Sequence, residues 1–130
     1  MNGSEVKTLK GLRVLVVEDN EIIQRIVSRI FNHYQASAHT AENGKIALQM
    51  VSENVYDAVL MDIMMPELDG YDTTCAIRSI EGTYFRDLPI FAFTTSPDTK
   101  KISTSSMNGR ISKSPIDKEE LYQKLSPYLK

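Results

Sequence analysis

Apolar positions along the chain alternate between two periods. Residues 12–17, LRVLVV, form a short, β-branched apolar run that predicts a buried strand. Residues 21–34 then carry apolar side chains at helical spacing. Ile22, Ile26 and Ile30 fall on one row, Ile23, Val27, Phe31 and Tyr34 on the next, and Asn20 sits at the N-cap. Residues 36–40 predict a weak strand, and Ile46, Ala47, Met50 and Val51 a second helix. Ala58 to Met61 form the second strongly apolar strand. Residues 67–79 carry a weaker helical pattern that ends near Arg78, and Pro89 to Phe93 predict another strand. Residues 97–106 are polar and poorly patterned, with Ile102 as the sole large apolar group. Arg110 to Ser112 predict a last short strand. Residues 117–129 open with the acidic turn DKEE and place Leu121, Leu125 and Leu129 on one face.

Strands separated by single helices return to the same edge and therefore run parallel. Continuous apolar strands agree, because a parallel sheet is covered on both faces. The expected architecture is an α/β sandwich, a flavodoxin-like (βα)5 fold with five parallel strands in the order 2-1-3-4-5. In such a sheet ligands bind beyond the carboxyl ends of the strands, where the winding reverses. Strand 1 ends in Glu18-Asp19, strand 3 in Asp62 and strand 4 in Thr94-Thr95. All lie at one edge, and strands 1 and 3 are neighbours in this winding.

Three carboxylates in one cleft repel one another unless a cation intervenes. Mg²⁺ fits, since it takes oxygen ligands from one or two carboxylates together with waters and phosphate oxygens. Asp19 and Asp62 are the expected direct ligands, with Glu18 acting directly or through water. The free oxygen of Asp62 is then a nucleophile for a phosphoryl group. Lys113, after the last strand, is placed to neutralise the transferred oxygens, and Thr94 to hydrogen-bond the phosphate.

Taken singly these residues have ordinary structural explanations. A strand-end Asp is commonly a turn former, and Glu18-Asp19 favours the N-terminus of the helix at 21. It is their meeting at one edge that argues for chemistry. Asp69-Gly70 reads as turn chemistry, Met61, Met64 and Met65 as core filler, His33 and His39 as surface groups, and Cys75 as packing.

Composition narrows the field. At 130 residues with 42% hydrophobic content, this is one globular domain, 11–130, behind a polar lead-in at 1–10. A net charge of −2 without a basic block argues against direct nucleic-acid binding. No apolar stretch is long enough for a membrane span, so no membrane contact is expected. A single cysteine excludes an internal disulfide and fits a reducing, cytoplasmic compartment. An enzyme on the same fold gains little support. An aspartyl-nucleophile phosphatase wants a general-acid Asp two residues after the nucleophile, where Met64 stands, and no phosphate-binding glycine loop is present.

The motifs VLVVEDN (14–20), AENGKIAL (41–48), DAVLMDIMMPELDGYD (57–72), PIFAFTT (89–95) and KSPIDKEEL (113–121) resemble the receiver domain of two-component response regulators. The resemblance covers Leu9 to Leu129, and LKGLRVLVVEDN looks most like receivers at the C-terminus of hybrid histidine kinases. It implies that Asp62 accepts a phosphoryl group from the phosphohistidine of a histidine kinase or phosphotransfer protein. It implies Glu18 and Asp19 as the acidic pair for Mg²⁺, and the Met64 backbone carbonyl as a further ligand. Thr94 matches the hydroxyl that moves toward the phosphate and shifts a surface that downstream partners read. Such a domain catalyses its own phosphorylation only, and is a monomer or a phosphorylation-dependent dimer. The sequence names no effector. It leaves open a standalone protein or a part of a hybrid kinase.

The C-terminal third departs from the family pattern. Lys113-Ser114-Pro115 replaces the usual Lys-Pro, so either Lys113 or Ser114 takes the lysine slot. A loop absorbs an insertion more easily than a strand, which favours Lys113 and makes Ser114–Pro115 the site of the family's frequent cis bond. The aromatic residue expected at the start of the last strand is absent, with Arg110 or Ile111 in its place. These departures keep a second reading open, a degenerate receiver that binds a partner without phosphorylation.

Overall fold

β1 (Arg13–Val17), β2 (Ser37–Ala41), β3 (Ala58–Asp62), β4 (Ile90–Thr94) and β5 (Gly109–Ser112) pair in parallel in the order β2-β1-β3-β4-β5. The structure, a computed structural model, describes residues 7–95 and 99–129. Between the strands run α1 (Glu21–His33), α2 (Gly44–Glu53), α3 (Gly70–Ser79), α4 (Thr83–Asp87) and α5 (Thr99–Thr104), and α6 (Lys118–Leu125) closes the fold before a 3-10 turn at Ser126–Tyr128. The expected sheet order is the observed one.

The strand alternation sorts the core into two layers. Leu15, Val17, Val59 and Met61 face one way and pack with Ala47 and Val51 of α2, Ile77 of α3 and Ile102 of α5. Val14, Val16, Ala58 and Leu60 face the other way, onto Val27 and Phe31 of α1 and Leu121 and Leu125 of α6. Covering both faces buries every residue of β3 and β4, and this is why those strands read as unbroken apolar runs.

Helix starts follow local capping. Asn20 accepts from the Ile22 and Ile23 N–H groups, Asn43 from Ile46, Asp69 from Asp72 and Asp117 from Glu119. Asp69 therefore caps α3, which begins at Gly70 rather than at 67. Gly70 also permits a close approach: a Cβ there would lie 2.4 Å from the Asp62 carbonyl oxygen.

Several expectations need correction. Met61 and Met65 are buried, but Met64 is 77% exposed, because it stands in the loop past the end of β3. Cys75 faces solvent on α3 and contributes no core packing. The short α4 carries too few residues to show a helical period. Within the polar stretch at 97–106 the chain forms the six-residue α5, and Ile102 is its buried anchor. Residues 97–98 of that region, with Ser96 before it, and 1–6 of the lead-in lie outside the described residues. The lead-in itself is not wholly peripheral, since Leu9 is fully buried and its N–H donates to the Tyr34 carbonyl.

Candidate functional site

The parallel register brings the ends of β1 and β3 side by side, with Val17 beside Met61 and the acidic residues one step beyond. Glu18, Asp19 and Asp62 each offer a carboxylate oxygen within 4.8 Å of the others. Glu18 is 1% exposed and Asp62 3%, while Asp19 faces solvent. Thr94, 3% exposed, ends the adjacent strand β4.

Lys113 reaches this cluster from the residue after β5. Its Nζ lies 2.6 Å from Glu18 Oε1 and 2.9 Å from Asp62 Oδ1. The Lys113 N–H donates to the Thr94 carbonyl, which continues the β4–β5 ladder by one residue and aims the side chain at the site. Beneath the ammonium lies the Phe93 ring, with its centroid 5.2 Å away. Ser114 follows in a loop whose bond to Pro115 is cis. Its N–H is held by the Ser112 hydroxyl. Arg110, three residues before Lys113, is half-buried, and Ile111 packs fully buried on the α1–α6 face.

Burial pushes the Glu18 carboxyl above its ordinary value, opposed by hydrogen bonds from Lys113 and the Asn20 N–H and reinforced by the Asp62 charge. For Lys113 burial acts downward, but the hydrogen bonds to Glu18 and Asp62 outweigh it, and the ammonium is held protonated above its ordinary range. One ammonium thus stands against three carboxylates, an incomplete compensation that favours a further cation.

Two positioning contacts carry no clear signal in the sequence. Gln24 Nε2 donates to the Glu18 carbonyl, and the Asn20 N–H donates to Glu18 Oε2 at 3.0 Å. Asn20 reads as a cap and Gln24 is not singled out by the helical pattern, yet together they fix the turn that presents both acids. The only available hint is spacing, since Gln24 lies one helical turn after Asn20. On the other side, the Met64 N–H donates to Asp62 Oδ1 at 3.1 Å, which sets the carboxylate's rotation.

The donor set fits a hard divalent cation. All three side chains are carboxylates, one is exposed to bulk water, and their oxygens converge. No sulfur or imidazole belongs to the cluster.

Comparison with known proteins agrees with this geometry. The family profile described as response regulator receiver domain matches residues 14–126. A probable histidine kinase 6 of Oryza sativa subsp. japonica is 33% identical over 91% of this chain and 14% of its own length. The receiver domain of sensor histidine kinase PA1611 from Pseudomonas aeruginosa, solved with a magnesium ion coordinated in the active site cleft, superposes with a TM-score of 0.81. It is 30% identical, covering 92% of this chain and 98% of that one. The receiver domain of the Saccharomyces cerevisiae response regulator Ssk1, solved with the histidine phosphotransfer protein Ypd1, gives a TM-score of 0.82. It is 26% identical over 96% of this chain and 92% of that one. The chain spans less than a fifth of the length of the first curated relatives it matches.

Proposed function

The chain belongs to the response regulator receiver domain family of two-component phosphorelays, and from that premise we propose that Asp62 is its phospho-acceptor. The supporting observation is a buried carboxylate at the end of a central strand, with two further acids within 4.8 Å and an ammonium at 2.9 Å. An Asp62 oxygen attacks the phosphorus of a phosphohistidine. The O–P bond forms as the P–N bond breaks, and the leaving imidazole nitrogen keeps the electron pair. Glu18, Asp19, Asp62 and the Met64 carbonyl hold Mg²⁺ in this reading, which supplies charge neutralisation at the phosphoryl oxygens. Lys113 shares that neutralisation, and the Thr94 hydroxyl donates to the phosphoryl group once it is on Asp62.

The donor is a histidine kinase or a histidine phosphotransfer protein. Ile22 and Ile26 on α1 and Met64 beside Asp62 are 68%, 42% and 77% exposed, which gives the acidic edge an apolar rim suited to docking. Residues 11–130 are the receiver unit in this reading, behind a lead-in at 1–10, and the domain works in the cytoplasm. Among the described residues no helix is long and apolar enough to cross a membrane.

Labelling with a small acyl phosphate and Mg²⁺, read by intact mass, tests the proposal. Wild type gains one phosphoryl group, Asp62→Asn gains none, and Lys113→Ala is slowed about a hundredfold. An unlabelled wild type, under conditions that label another receiver, overturns it. The short α5 and the serine inserted between Lys113 and Pro115 favour a second reading, a phosphorylation-independent interaction module. That reading requires equal partner affinity for wild type and Asp62→Ala.

A further inference from the structure

Opposite the acidic edge, at the amino-terminal ends of β3 and β4, the surface opens into a cavity of about 350 Å³. Its walls come from Tyr56 and Asp57 before β3, Tyr84 and Asp87 of α4, Leu88 before β4, and Tyr128 of the terminal 3-10 turn. Tyr84, Tyr128 and two carboxylates line it, with Tyr56 2% exposed behind them, and among the described residues no lysine or arginine contributes to the lining. Tyrosine ring faces carry negative potential, so rings and carboxylates favour the same kind of guest.

The walls are held in place before any guest arrives. The Tyr84 hydroxyl accepts from the Tyr56 N–H at 2.8 Å and donates to the Asn54 carbonyl. The Tyr56 hydroxyl is bonded to His39 Nδ1 at 2.9 Å. Tyr128 packs edge-on against Phe91. Asp57 accepts the Arg13 N–H at 2.8 Å. The Arg13 and Arg78 guanidinium groups stand near, and neither lines the cavity. Arg13 lies 5.4 Å from the Tyr56 ring centroid and donates to the Val55 carbonyl. Arg78, behind Asp87, directs its nitrogens to the Phe85, Leu88 and Ser106 carbonyls and to Asn108 Oδ1. Asp87 itself is exposed.

We propose that this cavity is a binding site for a small organic cation, an alkylammonium or alkylguanidinium, with its charged head at the exposed Asp87 carboxylate and its apolar body against Tyr84 and Tyr128. The Tyr84 and Tyr128 rings offer cation–π attraction and apolar contact together, and the Asp87 carboxylate selects the sign of the charge. The site shares no residue with the acidic edge, so it stands or falls independently of phosphoryl transfer.

The test uses n-butylammonium and n-butylguanidinium as probes, with the neutral 1-pentanol as control. Binding is followed by amide chemical shifts of the isotopically labelled chain in saturating Mg²⁺, which occupies the competing acidic edge. Saturable shifts are expected at Tyr56, Asp57, Tyr84 and Leu88 with both cations. Asp87→Asn and Tyr128→Leu should each weaken binding roughly two- to fivefold, as expected for exposed ionic and cation–π contacts. Asp87→Asn keeps the side-chain shape, so it reads charge without risking the fold. Equal binding of 1-pentanol, unchanged affinity in both variants, or no saturable shift at these amides overturns the proposal.

Discussion

The two edges of the sheet solve opposite problems. At the carboxyl edge, Glu18, Asp19 and Asp62 crowd like charges that Lys113 only partly offsets. At the amino edge, the polar side chains of Arg78 and Asn108 end on matched partners. Arg78 ties α3 to the end of α4 and to the chain before β5, and Asn108 Oδ1 accepts from both Arg78 and the Ile90 N–H. Around Lys113 like charges stay crowded, whereas around Arg78 donors and acceptors are matched.

The contrast is tested most severely by Lys113→Ala. Two almost wholly buried carboxylates then lose their counter-charge. Without divalent cation the variant should lose about 3 kcal/mol of stability, toward the low end for breaking a buried pair because Lys113 keeps some exposure. Added Mg²⁺ should restore most of the loss in urea denaturation. A variant as stable as wild type in chelator would show that the acids do not repel strongly, and the contrast would collapse.

Arg78→Ala probes the quiet edge. It leaves three carbonyls and the Asn108 amide oxygen short of a donor, partly rehydrated at the surface, for a loss of about 2 kcal/mol. Because these bonds are far from the acidic cluster, Mg²⁺ should not recover that loss. Recovery by Mg²⁺ would mean that the two edges are energetically coupled.

The smallest effect is alkaline. Burial raises the Tyr56 and Tyr84 hydroxyls above their ordinary value, and Lys113 is raised by its carboxylate partners despite burial. A group with a raised folded-state value stabilises fully below its unfolded value and loses that contribution as pH climbs through the folded one. Thermal midpoints should therefore be insensitive to these groups up to about pH 10 and fall beyond it. Tyr84→Phe should make that alkaline fall shallower. An unchanged slope would remove Tyr84 from the account.

Much of this was legible along the chain. Val14 to Val17 and Ala58 to Met61 announced themselves because both faces of a central parallel strand are buried, and Asn20 because capping is local. Asp62 stood out as a charge closing an apolar strand. Met64 misled because an apolar side chain in a loop after β3 carries no period to reveal its exposure. Cys75 misled in the opposite way, since its helical spacing does not say which face of α3 the chain buries. α4 spans five residues, too few for a pattern. Gln24 was silent because its role depends on a carbonyl six residues earlier that only the folded turn brings within reach.

Local chemistry and periodicity by themselves determined the order of the strands and the longer helices, the parallel sheet and the edge where the acids end. These are properties of neighbouring residues and of a chain that must cover apolar strands on both sides. Tertiary structure alone decided that Lys113, rather than Ser114, points at Glu18 and Asp62. It alone assembled the tyrosine-lined cavity from three separate segments. Both depend on distances between residues far apart in sequence, and one residue of register in a strand reverses the face a side chain occupies.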